Sequence, residues 1–322
     1  MTFISRRALL AAPALLAAPA MAQGWAPTRS IRMIAPYSPG GGVDTTARLL
    51  AGPMGAALGQ AVAVDNRAGA GGSLGAAELA RSPADGHTIM VDAMAHTVNP
   101  ALIRNLPFDY STAFTPISQI VVLPQIMIAP VSAPGRTLQE YIAHLKTLPA
   151  GTPYGSSGNA TAAHLAAALL CQRAGLRMEH VPYRGGTAAI PDVIAGNVAF
   201  VFGTVSSSLQ LVREGRVKAF AVSTARRIAS LPDVPTVAEQ GFPGYELNEW
   251  NGLYAPAGLP EAATARIYQA MQAALADSAV KARLEALGAM PVGTPPAEFA
   301  RYVVEQRTAM AQLVREAGIE AG

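Results

Sequence analysis

Three consecutive glycines, Gly40, Gly41 and Gly42, stand in "PYSPGGGVDTTARLLA", between an apolar run and the start of a helical pattern. Glycine costs roughly 0.5–1 kcal/mol relative to alanine in regular structure, so a triplet marks a place where bare backbone is useful. The first turn of a helix leaves N–H groups unpaired, and the helix dipole adds partial positive charge there. An anion can bond at that end when no side chain blocks its approach. A tight turn explains the glycines almost as well, with Asp44 or Thr45 as the helix cap. Phosphate loops of known spacing do not fit. No Lys-Ser/Thr pair follows, and Thr45 stands where a dinucleotide loop needs glycine.

The same kind of junction recurs about 115 residues on, in "YGSSGNATAAHLA". Ser156, Ser157, Asn159 and Thr161 supply hydroxyl and amide groups at a second helix start, where one would cap and the others would be free for ligand or solvent. His164, one turn into that helix, is expected to be packed. "YRGGT" adds Tyr183 and Arg184 beside another glycine pair, and Arg184 would face either a carboxylate or water. Two such junctions suit a two-lobed receptor that closes on a shared ligand.

Catalytic and metal chemistry find less support. The sequence has no Gly-x-Ser-x-Gly elbow. His87, His96, His144, His164 and His180 show no HExxH or Cys/His spacing for a metal. No metal or cofactor is expected. Triads can assemble from distant segments, so an exported hydrolase or transferase stays open as an alternative.

The elements that must hold these loops alternate short apolar strands with helices, which predicts an α/β architecture with largely parallel sheets. Strands are expected at 30–36, 61–66, 87–93, in the apolar stretch 117–130, and in "TPYGS", "RMEHVPY", "VAFVFGTV", "VKAFAVST" and "WNGLYAP". Helices are expected from about Asp44 to Leu58, after "RAGAGGS", and after Thr137, where Glu140 completes capping-box spacing. Two more, at roughly 260–286 and 295–317, finish the chain. "NPALIRNLPFDYSTAFTP" reads as irregular, and "SLPDVPTVAEQGFPGYE" as a proline-rich loop holding a short helix.

Residues 1–22 read as an export signal. Arg6 and Arg7 precede an apolar run from Ala8 to Ala20, and Ala20-Met21-Ala22 fits a small-x-small cleavage site. "SRRALL" resembles a twin-arginine motif, with Ala8 in place of the usual Phe, and an ordinary secretory signal is the alternative. The mature chain would begin near Gln23 in the periplasm. Of 322 residues, 300 would remain, and the formal net charge would fall from +3 to +1. With no basic run, no nucleic-acid partner is expected. Cys171 is the single cysteine and sits in an apolar helical pattern, as a small core residue would.

From about residue 29 onward, longer motifs follow one another in a known order. "PYSPGGGVDTTAR", "VDNRAGAGGSLGAAELARSPADGHT", "HVPYRGGTAAIPDVIAGNV", "LPDVPTVAEQGFPGYE" and "GLYAPAGLP" resemble the Bug-type extracytoplasmic solute receptors of tripartite tricarboxylate transporters. The resemblance implies a periplasmic binding protein type II fold, two α/β lobes joined by crossover strands. Lobe one would comprise residues 23–121 and 249–322, and lobe two residues 122–248. It implies a monomer that binds a small organic carboxylate between the lobes and serves transporter membrane subunits. A sensory partner for the same ligand is the second reading.

Carried over by position, the resemblance assigns to the ligand Tyr37, Pro39, Gly40, Gly41, Gly42 and Asp44 from the first lobe. From the second it assigns Ser156, Ser157, Asn159, Ala160 and Thr161, and Tyr183 and Thr204 join them as candidate ligand residues. Met94 and His96, in the loop after the third strand, are included. Three departures bear on the ligand. Alanine occupies position 160, where such receptors often have glycine. Ala199 and Gly203 stand where they often have an acid, and the loop "DAMAHTVNP" is usually small and polar. If positions 199 and 203 face the pocket, the missing acids predict a carboxylate without an amino group.

Overall fold

The structure is a computed structural model that describes residues 24–183 and 185–320. The expected export signal and Arg184 lie outside the described residues.

The chain opens with β1 (Ile31–Ala35), α1 (Gly42–Leu58), β2 (Val62–Asn66), α2 (Ser73–Ala80), β3 (Thr88–Ala93), α3 (Ala95–Leu102) and β4 (Phe114–Leu123). Pro124 separates β4 from β5 (Gln125–Ala129). Then follow α4 (Leu138–Leu145), β6 (Thr152–Ser156), α5 (Ala162–Ala174), β7 (Met178–Pro182), α6 (Ile190–Ala195), β8 (Val201–Thr204), α7 (Val205–Arg213) and β9 (Lys218–Val222). The last part holds β10 (Glu249–Pro256), α8 (Glu261–Ala276), α9 (Ser278–Ala286), β11 (Met290–Pro291) and α10 (Pro296–Glu316).

The strands form two sheets, one per lobe. The first runs β11-β4-β10-β3-β1-β2 and the second β7-β6-β8-β5-β9. Setting the two-residue β11 aside, the sheets share one plan. Parallel strands are interrupted at the fourth position by one antiparallel strand, β10 in the first sheet and β5 in the second. β1 and β6 hold equivalent places, so the two small-residue junctions of the sequence stand at equivalent corners.

Register decides where those corners point. β10 is antiparallel to both β3 and β4, so β1, β2, β3 and β4 all end on the same edge. From that edge the chain passes through Pro124 straight into β5. β5 begins where β8 and β9 end, because Gln125 pairs with Thr204 and Ile126 with Val222. The carboxyl ends of both sheets therefore meet at the crossover. Ligands of open α/β sheets bind outside such ends.

Side chains alternate across the strands with period two. Ile31, Met33 and Ala35 of β1 pack with Leu50 and Met54 of α1 and Ile267 and Met271 of α8. Ile34 faces the opposite way, into a larger core that continues through Met127 to Phe200, Phe202 and Leu165 of the second lobe. Ile126 and Ile128 of β5 join Val193, Val201 and Val205 in a third cluster. α10 ties the lobes together by packing on α3, β4 and α5, with Phe299 and Val303 in the shared core.

Several sequence expectations change. Ala95–Leu102 is helical although Pro100 lies inside it, where the reading was irregular chain. α7 had no counterpart in the reading. The stretch expected at roughly 260–286 is two helices broken at Asp277, which ends α8 and caps α9 through the N–H groups of Ala279 and Val280. The helix expected within 230–246 is a series of turns. The Thr137–Glu140 capping box forms as its spacing predicts.

Candidate ligand cleft

α1 begins at Gly42, two residues before the predicted start, with Gly41 as N-cap and no side chain capping it. Neither Asp44 nor Thr45 is the cap. The buried Asp44 carboxylate instead turns back to accept the Gly40 N–H at 2.8 Å, and it also accepts from Arg48 and Asn66. Burial pushes its pKa up, but the hydrogen bonds from Arg48, Gly40 and Asn66 outweigh that and hold it below the ordinary carboxylate value. Gly40 sits at φ +80°, a conformation that favours glycine. Gly41 donates to Ser38 O at 3.3 Å. The donors left open are those of the first turn of α1, beginning at the exposed Gly42, beside which a Cβ would meet nothing within 4 Å. Pro39 is exposed next to them, and Tyr37 closes the loop by donating to Asp92 Oδ1 at 3.2 Å. Burial, then the Asp92 charge, raises the Tyr37 pKa, so it remains a neutral donor.

At the equivalent corner of the second lobe, Thr161 is the N-cap of α5 and accepts the His164 N–H at 3.4 Å. Its hydroxyl donates to Gly158 O and receives one from Ser157. Ala160 adopts φ +55°, the left-handed conformation, which explains why glycine is the residue the resemblance leads one to expect there. Its N–H is taken by His164 Nδ1 at 3.1 Å. His164 is thus packed, as expected, and stacks on His180 at 3.5 Å between ring centres.

Three expected ligand groups have internal partners. Ser156 is fully buried, with Oγ 2.7 Å from His180 Nε2 and 3.0 Å from Gly158 O. The exposed Asn159 gives its amide to the Glu320 carbonyl at 2.5 Å. Tyr183 donates to Asp192 at 2.6 Å. In the first lobe, the His96 ring is buried, 2.9 Å from Asp92 and stacked on Tyr254. Its pKa is lowered by burial against the pull of Asp92. Met94 is buried as well. These side chains brace the loops, and what they leave toward the crevice is mostly backbone.

Thr204 marks a third helix start. It is the N-cap of α7 and offers no side-chain cap, while the Val205 N–H bonds Pro124 O at the crossover itself. Ser206 and Ser207 follow in the first turn, with the Ser206 hydroxyl directed at Thr204 Oγ1 at 3.2 Å. This turn touches the other lobe, since a Cβ on Gly288 would lie 3.5 Å from the Ser206 nitrogen. Thr204 is among the candidates the sequence offers, whereas Ser206 and Ser207 are not, because the serine run conceals α7.

It also missed Glu249. β4 and β5 are separated only by Pro124, and Leu123 on one side pairs with Glu249 while Gln125 on the other pairs with Thr204. Glu249 Oε1 accepts the Met94 N–H at 2.9 Å and the Trp250 N–H at 3.0 Å. An acid thus stands at the crevice, supplied by β10. Ala199 lies before β8, at the end of that strand remote from the crossover, and Gly203 would direct a Cβ at Ser207 and Ser208. The expectation drawn from missing acids at 199 and 203 therefore loses its basis.

Surface concavities of about 450 and 410 Å3 lie elsewhere, one against Ala101–Arg104, Ile319 and Glu320, the other between α5 and α10. Among the described residues no cluster of three or more metal-ligating side chains occurs.

Residues 46–319 match the family model described as "Tripartite tricarboxylate transporter family receptor". The curated protein BugT of Bordetella pertussis is 31% identical, over 91% of this chain and 90% of its own. Among solved structures, MatC of Rhodopseudomonas palustris with bound malate superposes with a TM-score of 0.72 at 30% identity, covering 89% of this chain and 99% of that one. A second R. palustris protein, with adipate, gives 0.76 at 30% identity, covering 91% and 99%.

Proposed function

From the premise that this chain belongs to the Bug-type receptor family of tripartite tricarboxylate transporters and is a solute-binding receptor, not an enzyme, we propose that it captures a small organic carboxylate in the periplasm and presents it to transporter membrane subunits. The relatives with malate and adipate support a carboxylate as the ligand class. The expected export signal at residues 1–22 and the periplasmic setting of the family support the compartment.

One observation carries the reading: three helix starts, at Gly42, Ala162 and Val205, stand at the facing carboxyl edges of two sheets joined by the Leu123–Pro124–Gln125 crossover. Unpaired N–H groups at such ends favour an anion. In this reading lobe one is residues 23–121 with 249–322, lobe two is 122–248, and hinge motion closes them on the ligand. Tyr37–Gly42, Ser157 and Thr204 would line the crevice, with Asp44, Met94, His96, Ser156, Asn159, Ala160, Thr161 and Tyr183 bracing it. The ligand shifts the equilibrium toward the closed form because it bonds both lobes only there.

The test is a thermal-shift screen over mono-, di- and tricarboxylates, followed by calorimetry. A true ligand raises the melting temperature with concentration. Failure of every carboxylate in the screen overturns the reading.

A further inference from the structure

The anion-binding backbone of the first lobe is already partly occupied by a carboxylate of the protein. Glu249 Oε1 accepts two N–H groups, from Met94 at the start of α3 and from Trp250. A ligand arriving here meets an acid where two open donors would otherwise stand. Glu249 Oε2 makes no hydrogen bond among the described residues, and the residue is only half-buried. Its place at the start of β10, one residue pairing away from Pro124, and its bond to Met94 just past the end of β3 put the carboxylate at the carboxyl edge of the first sheet, where the crevice lies.

We propose that Glu249 is the charge filter of the cleft: while ionised it excludes a second ligand carboxylate, so that the preferred solute carries one carboxylate. This rests on the receptor reading above and narrows its substrate class. Two like charges in a partly desolvated crevice repel strongly, and the neighbours of Glu249 do not relieve that repulsion. Asp92 on β3 adds negative charge, Tyr37 and Tyr302 approach as neutral phenols, and His96 on α3 is held toward its neutral form by burial.

The same surroundings make the filter sensitive to protons. Burial raises the Glu249 pKa to about 7, against the hydrogen bonds from Met94 and Trp250 and with help from Asp92. Above that value the ionised acid rejects a dianion. Below it the protonated acid can donate through Oε2 to a second carboxylate, so binding a dicarboxylate takes up a proton.

Calorimetry of the full mature chain with hexanoate and with adipate, at pH 6 and pH 8.5, tests the filter. Hexanoate is almost wholly ionised over this range; adipate keeps a minor monoanion fraction at pH 6, and the glutamine variant measured at both pH values reports how much that fraction contributes. The wild type should favour hexanoate over adipate by at least about tenfold at pH 8.5, one unit of linked protonation being worth a factor of ten, and that preference should shrink at pH 6. Glu249→Gln should bind adipate equally at both pH values. A hexanoate-to-adipate ratio that does not change with pH in the wild type overturns the filter and leaves the receptor reading intact. Binding of neither probe by either protein overturns the filter, and only the failure of every acid in the mono-, di- and tricarboxylate screen overturns the receptor reading with it. Should the glutamine variant fail to fold, the wild-type ratio at the two pH values decides alone.

Discussion

The Asp44 carboxylate accepts the Gly40 N–H at 2.8 Å, across the glycine turn that opens α1. The bond reaches from the third helical residue back past the N-cap, and Arg48 and Asn66 hold the carboxylate in place. The turn is thus fixed before any ligand arrives, which lowers the ordering cost of binding. Asp44→Ala should destabilise the protein by about 1–2 kcal/mol, since it removes the acceptor shared by the Gly40 N–H and the Arg48 guanidinium, and one of the two bonds of the Asn66 amide. Urea titration checks this, and ligand affinity should fall in parallel. Asp44 also contributes pH dependence of a definite sign. Its folded pKa lies below the unfolded one, so its stabilisation is full above the ordinary carboxylate range and is lost as pH falls through the folded value.

Gly42→Val should abolish binding while leaving stability within about 1 kcal/mol, the helix-propensity difference between such residues being small. Gly42 is exposed, and a Cβ there meets no neighbour within 4 Å, so added bulk projects toward the open helix end. Gly41 is a poorer choice, because its Cβ would press on Ser38 O at 3.3 Å. Normal affinity in Gly42→Val would reduce the first loop to a turn.

Thr161→Ala should cost about 1 kcal/mol through loss of the α5 N-cap. Thr161→Ser keeps the hydroxyl and should restore most of that stability. Ligand affinity should follow the same order, since Ser157 donates to this hydroxyl and loses its anchor in the alanine variant. Equal affinities for all three proteins would separate the second loop from binding.

Burial of His164, with the charge of His180 beside it, depresses its pKa to about 4. The unfolded chain, with an ordinary histidine near 6.5, then binds a proton that the folded state refuses between those values. Stability should therefore decline as pH falls from about 6.5 toward about 4, and this contribution should level off below. His180, also lowered by burial, adds to the slope. Melting curves from pH 4 to pH 8 measure it. His164→Gln, which can still accept the Ala160 N–H, should flatten the slope.

What the sequence disclosed followed local rules, and what it withheld depended on distant partners. The glycine and serine junctions, the parallel strands and the capping box at Thr137 are written in adjacent residues. α3 was hidden by Pro100, which removes one helical hydrogen bond but sits in an element braced by Tyr110 through Asn99. α7 was hidden by Ser206, Ser207 and Ser208, poor helix formers whose hydroxyls compete for backbone. The clearest omission is Glu249, whose partner Met94 lies 155 residues earlier in the chain. Only the insertion of β10 between β3 and β4 brings the two together. The loops could be read as anion sites, but not the count of donors that internal acids had already taken.

That insertion also governs how the protein can be made. All five strands of the second sheet come from one continuous segment, β5 to β9, whereas the middle of the first awaits β10. A nascent or truncated chain that stops before Glu249 would hold β3 and β4 with bare, apolar edges and nothing to fill the slot between them. The hazardous interval in biogenesis is therefore the emergence of residues 124–248, when every strand of the second sheet arrives while the first still lacks its middle one.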